Sequence, residues 1–119
     1  MTDRAPQIHR AIGLLDGRWT LRILAELERG GRRYQELHDA LDGISYKVLT
    51  ETLRRAERDG LIARHLDGRR VETATLYELT DLGRSLEAPL AAMAQWAERN
   101  WPAVEAARHH WDRLLQASG

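Results

Sequence analysis

The stretch SYKVLTETLR, which begins at Ser45, carries hydroxyl, ammonium and guanidinium groups within three turns of a predicted helix. Ser45 is placed as an N-cap, because its hydroxyl can accept from the free amides of the first turn. The positive end of a helix favours an anion such as a phosphate, and Lys47 adds a cation there. Tyr46, Thr50 and Arg54 add groups that donate or accept hydrogen bonds. These groups suit the binding of an anionic, hydrogen-bonding partner.

The predicted helix that carries these residues has two different faces. At 100° per residue, its apolar face consists of Leu49, Leu53 and Ala56, and its charged face of Lys47, Glu51, Arg54 and Arg58. Most charged helix faces are simply solvated, so this face alone does not identify a binding surface. Two basic pairs flank the helix in the chain, Arg32-Arg33 on one side and Arg69-Arg70 on the other. Together the three positive regions favour a single binding surface.

Glycines divide the remaining sequence into short helical pieces. Apolar spacing predicts a first helix over about 7–17, a second over 18–29 with Trp19 in the core, and a short third helix that starts near Tyr34. The fourth helix runs from Ser45 to about residue 59, where Gly60 ends it. Asp67-Gly68 predicts the turn of a β-hairpin between residues 61 and 79.

The C-terminal third is predicted to be helical. Thr80 is expected to cap a long helix, Pro89 to kink it, and Trp101-Pro102 to break or bend it. The order of elements is that of a winged helix-turn-helix, mainly α with a small β-hairpin and additional N- and C-terminal helices. We expect one domain over residues 1–119, with an N-terminal helix (about 7–17), a core and wing (18–80) and C-terminal dimerisation helices (81–117).

Three stretches resemble the HxlR-type bacterial transcription regulators, in order and from about Ile12 to Glu98: GLLDGRWTLRILAEL, RRYQELHDALDGISYKVLTETLRRAERDGLI and LYELTDLGRSLEAPLAAMAQWAE. The resemblance implies a winged-helix homodimer on an inverted-repeat operator in double-stranded DNA. The recognition helix would lie in the major groove and the wing on the neighbouring backbone or minor groove. The DNA-binding positions so implied are Ser45, Tyr46, Lys47, Thr50, Arg54, Arg69 and Arg70. The basic pair Arg32 and Arg33 is added to them from its place before the third helix.

The sequence departs from this family in two places. Many relatives carry a cysteine before the first helix that some use to sense electrophiles, but this sequence has no cysteine. The wing also lacks the common proline-containing loop and reads DGRRVETAT. Thiol sensing therefore cannot be inherited, and the groove contacts of the wing tip are open.

A dimer is also expected from the limits of one recognition helix. Each good base contact discriminates by roughly 1–3 kcal/mol, so a single helix reads too little sequence for one site in a genome. A two-fold axis would place half-sites roughly 34–36 Å apart. The candidate interface residues are Ile8, Ile12, Trp96, Trp101, Val104, Ala107, Trp111 and Leu114. A flat small-molecule effector stacked among the tryptophans is the alternative use of this surface.

The sequence argues against other functions. His109 and His110 are adjacent and so point in different directions on a helix, which disfavours a metal site, and no motif of a nucleophile, phosphate loop or zinc protease occurs. We therefore expect no enzyme activity, no metal and no cofactor. Without a membrane-spanning run or a secretory signal, we expect a soluble cytoplasmic protein. The alternative function is a winged-helix dimer that binds a protein or small molecule without operator binding.

Overall fold

The computed structural model describes residues 3–66 and 75–118 of the chain. The elements follow in the order α1 (Ala5–Leu14), α2 (Thr20–Glu28), β1 (Arg32–Arg33), α3 (Tyr34–Ala40), α4 (Tyr46–Arg58), β2 (Ile62–Leu66), β3 (Thr75–Leu79), α5 (Asp81–Arg84) and α6 (Glu87–Ala117). They form two compact units, Met1–Ser85 and Leu86–Gly119. This order confirms the predicted fold class, which is mainly helical with a small antiparallel sheet and a long C-terminal helix.

Helices α3 and α4 and the turn between them form the helix-turn-helix. Leu41 and Ile44 are buried at the two ends of the turn, and Gly43 between them has a φ of 88°, which favours glycine. Ser45 caps α4 as predicted, since its Oγ accepts a hydrogen bond of 3.1 Å from Val48 N. At the other end Gly60 has a φ of 78° and ends the helix.

The core of the first unit lies between the helices and one face of the sheet. Its fully buried large side chains are Ile23, Leu27, Leu37, Leu49, Leu53, Leu61 and Ile62. The sheet adds alternate residues of β3, because side chains along a strand point to opposite faces. Helix α4 contributes Leu49 and Leu53 to this core and packs against β2.

The sheet has three strands in the order β1-β3-β2, both pairs being antiparallel. The hairpin β2–β3 was predicted, but β1 was not. Arg32 pairs with Tyr77 and Arg33 with Leu76, so the basic pair lies at the sheet edge. Two arginines have no strand-forming pattern, and only the pairing with β3 makes them a strand.

Trp19 does not fill the core beneath α2 as predicted. It is half-buried, and the guanidinium carbons of Arg18 and Arg22 lie 5.0 Å and 5.3 Å from its ring centroid. Trp19 is the N-cap residue of α2 and so lies before the turn that carries the buried leucines. Two guanidinium groups therefore lie over its ring.

Thr80 caps a short helix rather than the long one. Its Oγ1 accepts a hydrogen bond of 3.0 Å from Gly83 N and donates to the carbonyl of Gly60, which ties α5 to the end of α4. Helix α5 ends at Arg84, and α6 begins at Glu87. Pro89 therefore lies in the first turn of α6, where a main-chain donor is not needed, and the kink predicted there is wrong.

The long helix continues through Pro102, so of the break or bend predicted at Trp101-Pro102 the break is wrong. A proline removes one i to i−4 hydrogen bond. Helix α6 has 31 residues, and the turns on both sides of Pro102 keep their own bonds. The side chain of Asn100 also donates to the carbonyl of Trp96 at 2.9 Å. The C-terminal unit is thus built on one long helix instead of a pair.

Gly83 is a position where any larger residue should destabilise the first unit. A Cβ there would collide with the main-chain carbonyl of Leu61 and lie 3.3 Å from Leu79 Cδ2. We expect Gly83→Ala to lower the free energy of unfolding by about 1–3 kcal/mol in urea titration followed by circular dichroism. Gly13 in α1 has no atom within 4 Å of such a Cβ, so Gly13→Ala should be neutral or stabilising by up to about 1 kcal/mol. Equal stabilities for the two variants would contradict this packing.

Candidate nucleic-acid interface

Helix α4 presents a polar face whose residues are exposed from its first turn onward. Tyr46 is 53% exposed, and Lys47, Glu51 and Arg54 are exposed on the same side. The opposite side buries Leu49, Thr52, Leu53 and Ala56. The burial of this second set confirms the two faces that were predicted. Thr52 was not expected there, and its hydroxyl is satisfied by a 2.7 Å bond to the carbonyl of Val48.

Two cations on this face are available to a partner. In residues 3–66 and 75–118, no carboxylate lies within ion-pair distance of Lys47 or Arg54. By contrast, Arg58 Nε lies 3.3 Å from Asp59 Oδ1 at the end of the helix. The positive charge of α4 is therefore least compensated in its first three turns.

Tyr46 is held against α3 by a stack of aromatic rings. Its ring lies 3.8 Å from that of His38 at an interplanar angle of 7°, and 6.2 Å from that of Tyr34 at 17°. The Tyr46 hydroxyl lies within hydrogen-bonding distance of the side-chain amide of Gln35, at 3.2 Å and 3.4 Å from its two polar atoms. Tyr46 is thus exposed but fixed in position.

Tyr34 joins α3 to α4 through hydrogen bonds. Its hydroxyl donates to the carbonyl of Tyr46 at 3.1 Å and lies 2.7 Å from Thr50 Oγ1. Tyr34, Gln35 and His38 were not predicted from the sequence to belong to the site. The spacing of Tyr34 and His38 could have indicated an aromatic face on α3, because residues four apart lie on the same face of a helix.

A groove of about 380 Å³ opens between α3, α4 and the sheet. Its lining includes Tyr34, Thr50, Arg54, Arg64 and Tyr77. Arg64 Nε lies 3.7 Å from Glu57 Oε1 within this groove, so its charge is partly compensated. Burial raises the pKa of the Tyr77 hydroxyl above its usual value, because desolvation disfavours the phenolate. Tyr77 therefore remains a neutral phenol at physiological pH.

The basic residues that flank α4 are placed only in part. Arg32 is half-buried, and its guanidinium donates to the carbonyl of Gly31 at 3.0 Å. Arg33 is exposed at the start of α3, where its main-chain amide donates to Glu36 Oε1 at 3.1 Å. Arg69 and Arg70 lie outside the described residues. The edge strand thus brings one basic pair close to the first turn of α3.

The part of the chain that the structure describes has neither a metal-binding cluster nor a membrane-spanning helix. No group of three or more histidine, aspartate or glutamate side chains could hold a metal ion there. No helix among the described residues is long and apolar enough to span a membrane.

The sequence matches the HxlR-like helix-turn-helix family over residues 14–105. It is 36% identical over 91 residues to YtfH, an uncharacterised HTH-type transcriptional regulator of Escherichia coli (strain K12). This match covers 76% of this chain and 71% of YtfH. Among solved structures, one similar protein is a transcriptional regulator assigned to the MarR family from Enterococcus faecalis V583. It has a TM-score of 0.78 and 36% identity, and the match covers 91% of this chain and 96% of the other.

Another similar structure is the reduced form of the transcriptional regulator YodB from Bacillus subtilis. Its TM-score is 0.73 at 29% identity, and the match covers 83% of this chain and 94% of that one. These relatives are transcriptional regulators, and none of them is described as an enzyme. The chain belongs to the HxlR-like helix-turn-helix family of DNA-binding transcriptional regulators.

Proposed function

We propose that this transcriptional regulator acts as a homodimer on an inverted-repeat operator, with α4 of each copy in the major groove. The observation that carries the proposal is the exposed face at the start of α4, on which Lys47 and Arg54 have no acidic partner among the described residues. In helix-turn-helix proteins the second helix enters the major groove with its N-terminal residues on the base edges.

The first turn of α4 is suited to a phosphate. Ser45 Oγ accepts from Val48 N, so its proton remains free to donate to a phosphate oxygen. Lys47 adds a compact positive charge beside the helix N-terminus, where the helix dipole also favours an anion. Ser45 and Lys47 therefore position the helix and carry little sequence information.

Base recognition is assigned to Tyr46, Thr50 and Arg54. The guanidinium of Arg54 can donate two parallel hydrogen bonds to O6 and N7 of a guanine. Arg54 lies two turns beyond Tyr46 on the exposed face. The stack with His38 holds the Tyr46 ring in one orientation, so little side-chain entropy would be lost when it meets a base.

The flanking basic residues would contact the DNA backbone on both sides of α4. Arg32 and Arg33 are carried by the edge strand that leads into α3. The helix that precedes the recognition helix crosses the backbone in this fold class, which suits phosphate contacts there. We assign the same role to Arg69 and Arg70 from the sequence alone.

The proposed dimer rests on the apolar stripe of α6. No residue of α6 is buried in the single chain, and even its large apolar side chains are exposed, Trp96 to 57% and Trp111 to 61%. At helical spacing Met93, Trp96, Trp101, Val104, Ala107, Trp111, Leu114 and Leu115 fall on one side. This stripe is about 33 Å long. A second copy is its simplest partner, because monomers rarely expose so large an apolar patch.

Helix α1 offers a second apolar surface. Ile8 and Ile12 are exposed on one face of it, and α1 has no buried residue among those described. We assign this face to the same dimer. A small effector bound among the tryptophans would change DNA affinity if it preferred one spacing of the two α4 helices. With no cysteine in the sequence, such an effector would act without a thiol.

Lys47→Ala should weaken binding to all DNA sequences alike. The variant loses one phosphate contact, so the slope of log K against log salt should become shallower by about 1. Gel-shift titrations at several salt concentrations, on duplexes from the promoters of its own and neighbouring genes, measure this slope. Arg10→Ala is the control, because Arg10 lies on the face of α1 opposite Ile8 and should leave the slope unchanged.

The same titration separates the proposed function from its alternative. If the unaltered protein gives no saturable, salt-sensitive shift with these duplexes, a module that binds a protein or a small molecule becomes the better interpretation.

Arg54→Ala should relax the preference at one base pair in each half-site. Losing a bidentate guanine contact reduces discrimination there by roughly 1–3 kcal/mol. Competition binding with single-base variants of the operator measures the change. The result should be confined to one symmetric pair of positions, and a uniform loss over all sequences would show that Arg54 contacts phosphate instead.

Trp111→Glu should convert the dimer into monomers, since it places a charge in the middle of the apolar stripe. Sedimentation equilibrium should give about twice the 13.6 kDa chain mass for the parent and a value near 13.6 kDa for the variant. Arg113→Glu introduces the same side chain on the opposite face of α6 and should remain dimeric. A parent protein that sediments as a monomer would remove the dimer from the proposal.

A further inference from the structure

The hydrogen bonds of Tyr34 determine where the Thr50 proton lies. Tyr34 Oη is 3.1 Å from the carbonyl oxygen of Tyr46 and 2.7 Å from Thr50 Oγ1. A carbonyl only accepts, and a phenol has a single proton to donate. Tyr34 therefore donates to the Tyr46 carbonyl, and Thr50 must be the donor in the 2.7 Å bond.

This arrangement leaves Thr50 with no proton for a partner outside the protein. Its lone pairs remain available, because a hydroxyl oxygen accepts as well as donates. Thr50 is half-buried on α4, one turn beyond Tyr46, and lines the open groove beside Arg54. Toward that open side Thr50 is an acceptor.

We infer that Tyr34 makes Thr50 a selective acceptor that prefers bases with an amino group in the major groove. Adenine presents N6 and cytosine N4 as donors there, whereas guanine presents O6 and N7 and thymine presents O4 as acceptors. Thr50 would accept from the first pair of bases and meet only acceptors on the second pair. The inference rests on the proposed function, in which α4 lies in the major groove.

The size of the preference follows from the alternative arrangement of protons. Thr50 can donate outward only if Tyr34 turns its own proton to Thr50, which breaks the hydrogen bond between Tyr34 and the Tyr46 carbonyl. The net free energy of one such hydrogen bond corresponds to about a 2- to 12-fold preference for a base that donates to Thr50 over one that only accepts. Tyr34 contacts no base itself and acts as a positioning residue through Thr50.

The stacked side chains keep Tyr34 in place for this role. Its ring and the Tyr46 ring are nearly parallel at 17°, and the His38 ring stacks on the same Tyr46 ring. Tyr34 is also the first residue of α3, directly after the edge strand. The phenol is thus held at both its ring and its hydroxyl group.

The test is selection of DNA from a library of duplexes with roughly 20 random base pairs, enough for two half-sites. The full-length parent is compared with Thr50→Val, Tyr34→Phe and Tyr77→Phe at one fixed salt concentration. Thr50→Val keeps the shape of the side chain and removes the hydroxyl, so it identifies the position that Thr50 contacts. Tyr77→Phe removes a phenol from the same groove without altering the Thr50 bond and is the matched control.

At the position that Thr50→Val makes indifferent, the parent should select adenine or cytosine on one strand and reject the reversed pairs, which place guanine or thymine on that strand. Tyr34→Phe should reduce the preference at that same position by about 2- to 12-fold, because the Thr50 proton is then shared between the helix carbonyls and the DNA. The salt dependence of Tyr34→Phe should equal that of the parent, since no phosphate contact is lost. Tyr77→Phe should select the same sequences as the parent.

Three results would overturn the inference while leaving operator binding intact. The first is a parent that accepts both orientations of a base pair at the Thr50 position, because every base pair carries one amino group in the major groove and only its strand can be selected. The second is an unchanged preference in Tyr34→Phe, and the third is a Thr50→Val variant that selects the same sequences as the parent. If the folded parent selects no sequence at all, the proposed function fails and the inference fails with it.

Discussion

The structure depends on one constraint, which is that α4 must be anchored by one face while the other remains open to a partner. Leu49 and Leu53 are almost completely buried, and each large aliphatic side chain contributes about 1.5–3 kcal/mol by leaving water. That anchorage comes from the apolar face, to which the exposed side chains of Lys47 and Arg54 do not contribute. The helix can therefore expose uncompensated cations without losing its position.

The polar side of the same helix is stabilised differently, by α3 instead of by the core. Tyr34 and His38, one turn apart on α3, contact Tyr46 and Thr50 on α4 through ring stacking and hydrogen bonds. Such contacts are directional, whereas burial of leucines is not. The apolar contacts thus fix where the helix lies, and the polar contacts fix how its outward side chains point. In the proposed function that orientation is what distinguishes one base from another.

The sequence was informative where local signals determine structure. Ser45 and Gly60 are a capping residue and a helix terminator, so both ends of α4 and its two faces were predicted correctly. Some of the errors arose where contacts distant in sequence decide the outcome. Strand β1 exists only through its pairing with β3, and the Thr80 hydroxyl that caps α5 also donates to the carbonyl of Gly60 at the end of α4. The groups on α3 that position Tyr46 and Thr50 were missed because their role depends on contacts between two helices. The sequence of one helix does not show which residues of the other it contacts.

The net charge of the chain is zero, because acidic and basic side chains balance, whereas DNA is strongly negative. Long-range attraction from a neutral protein is weak, and screening limits it further beyond about 8–10 Å. Affinity must then come from contacts made at close range by a few uncompensated cations, and a single copy offers only a few around α4. Two copies joined along the stripe of α6 would double these contacts on one duplex without changing the net charge. A neutral chain therefore depends more on a partner copy for its DNA affinity than a strongly basic chain would. The apolar stripe would supply the partner copy, and the partner copy would supply the cations that a single chain lacks.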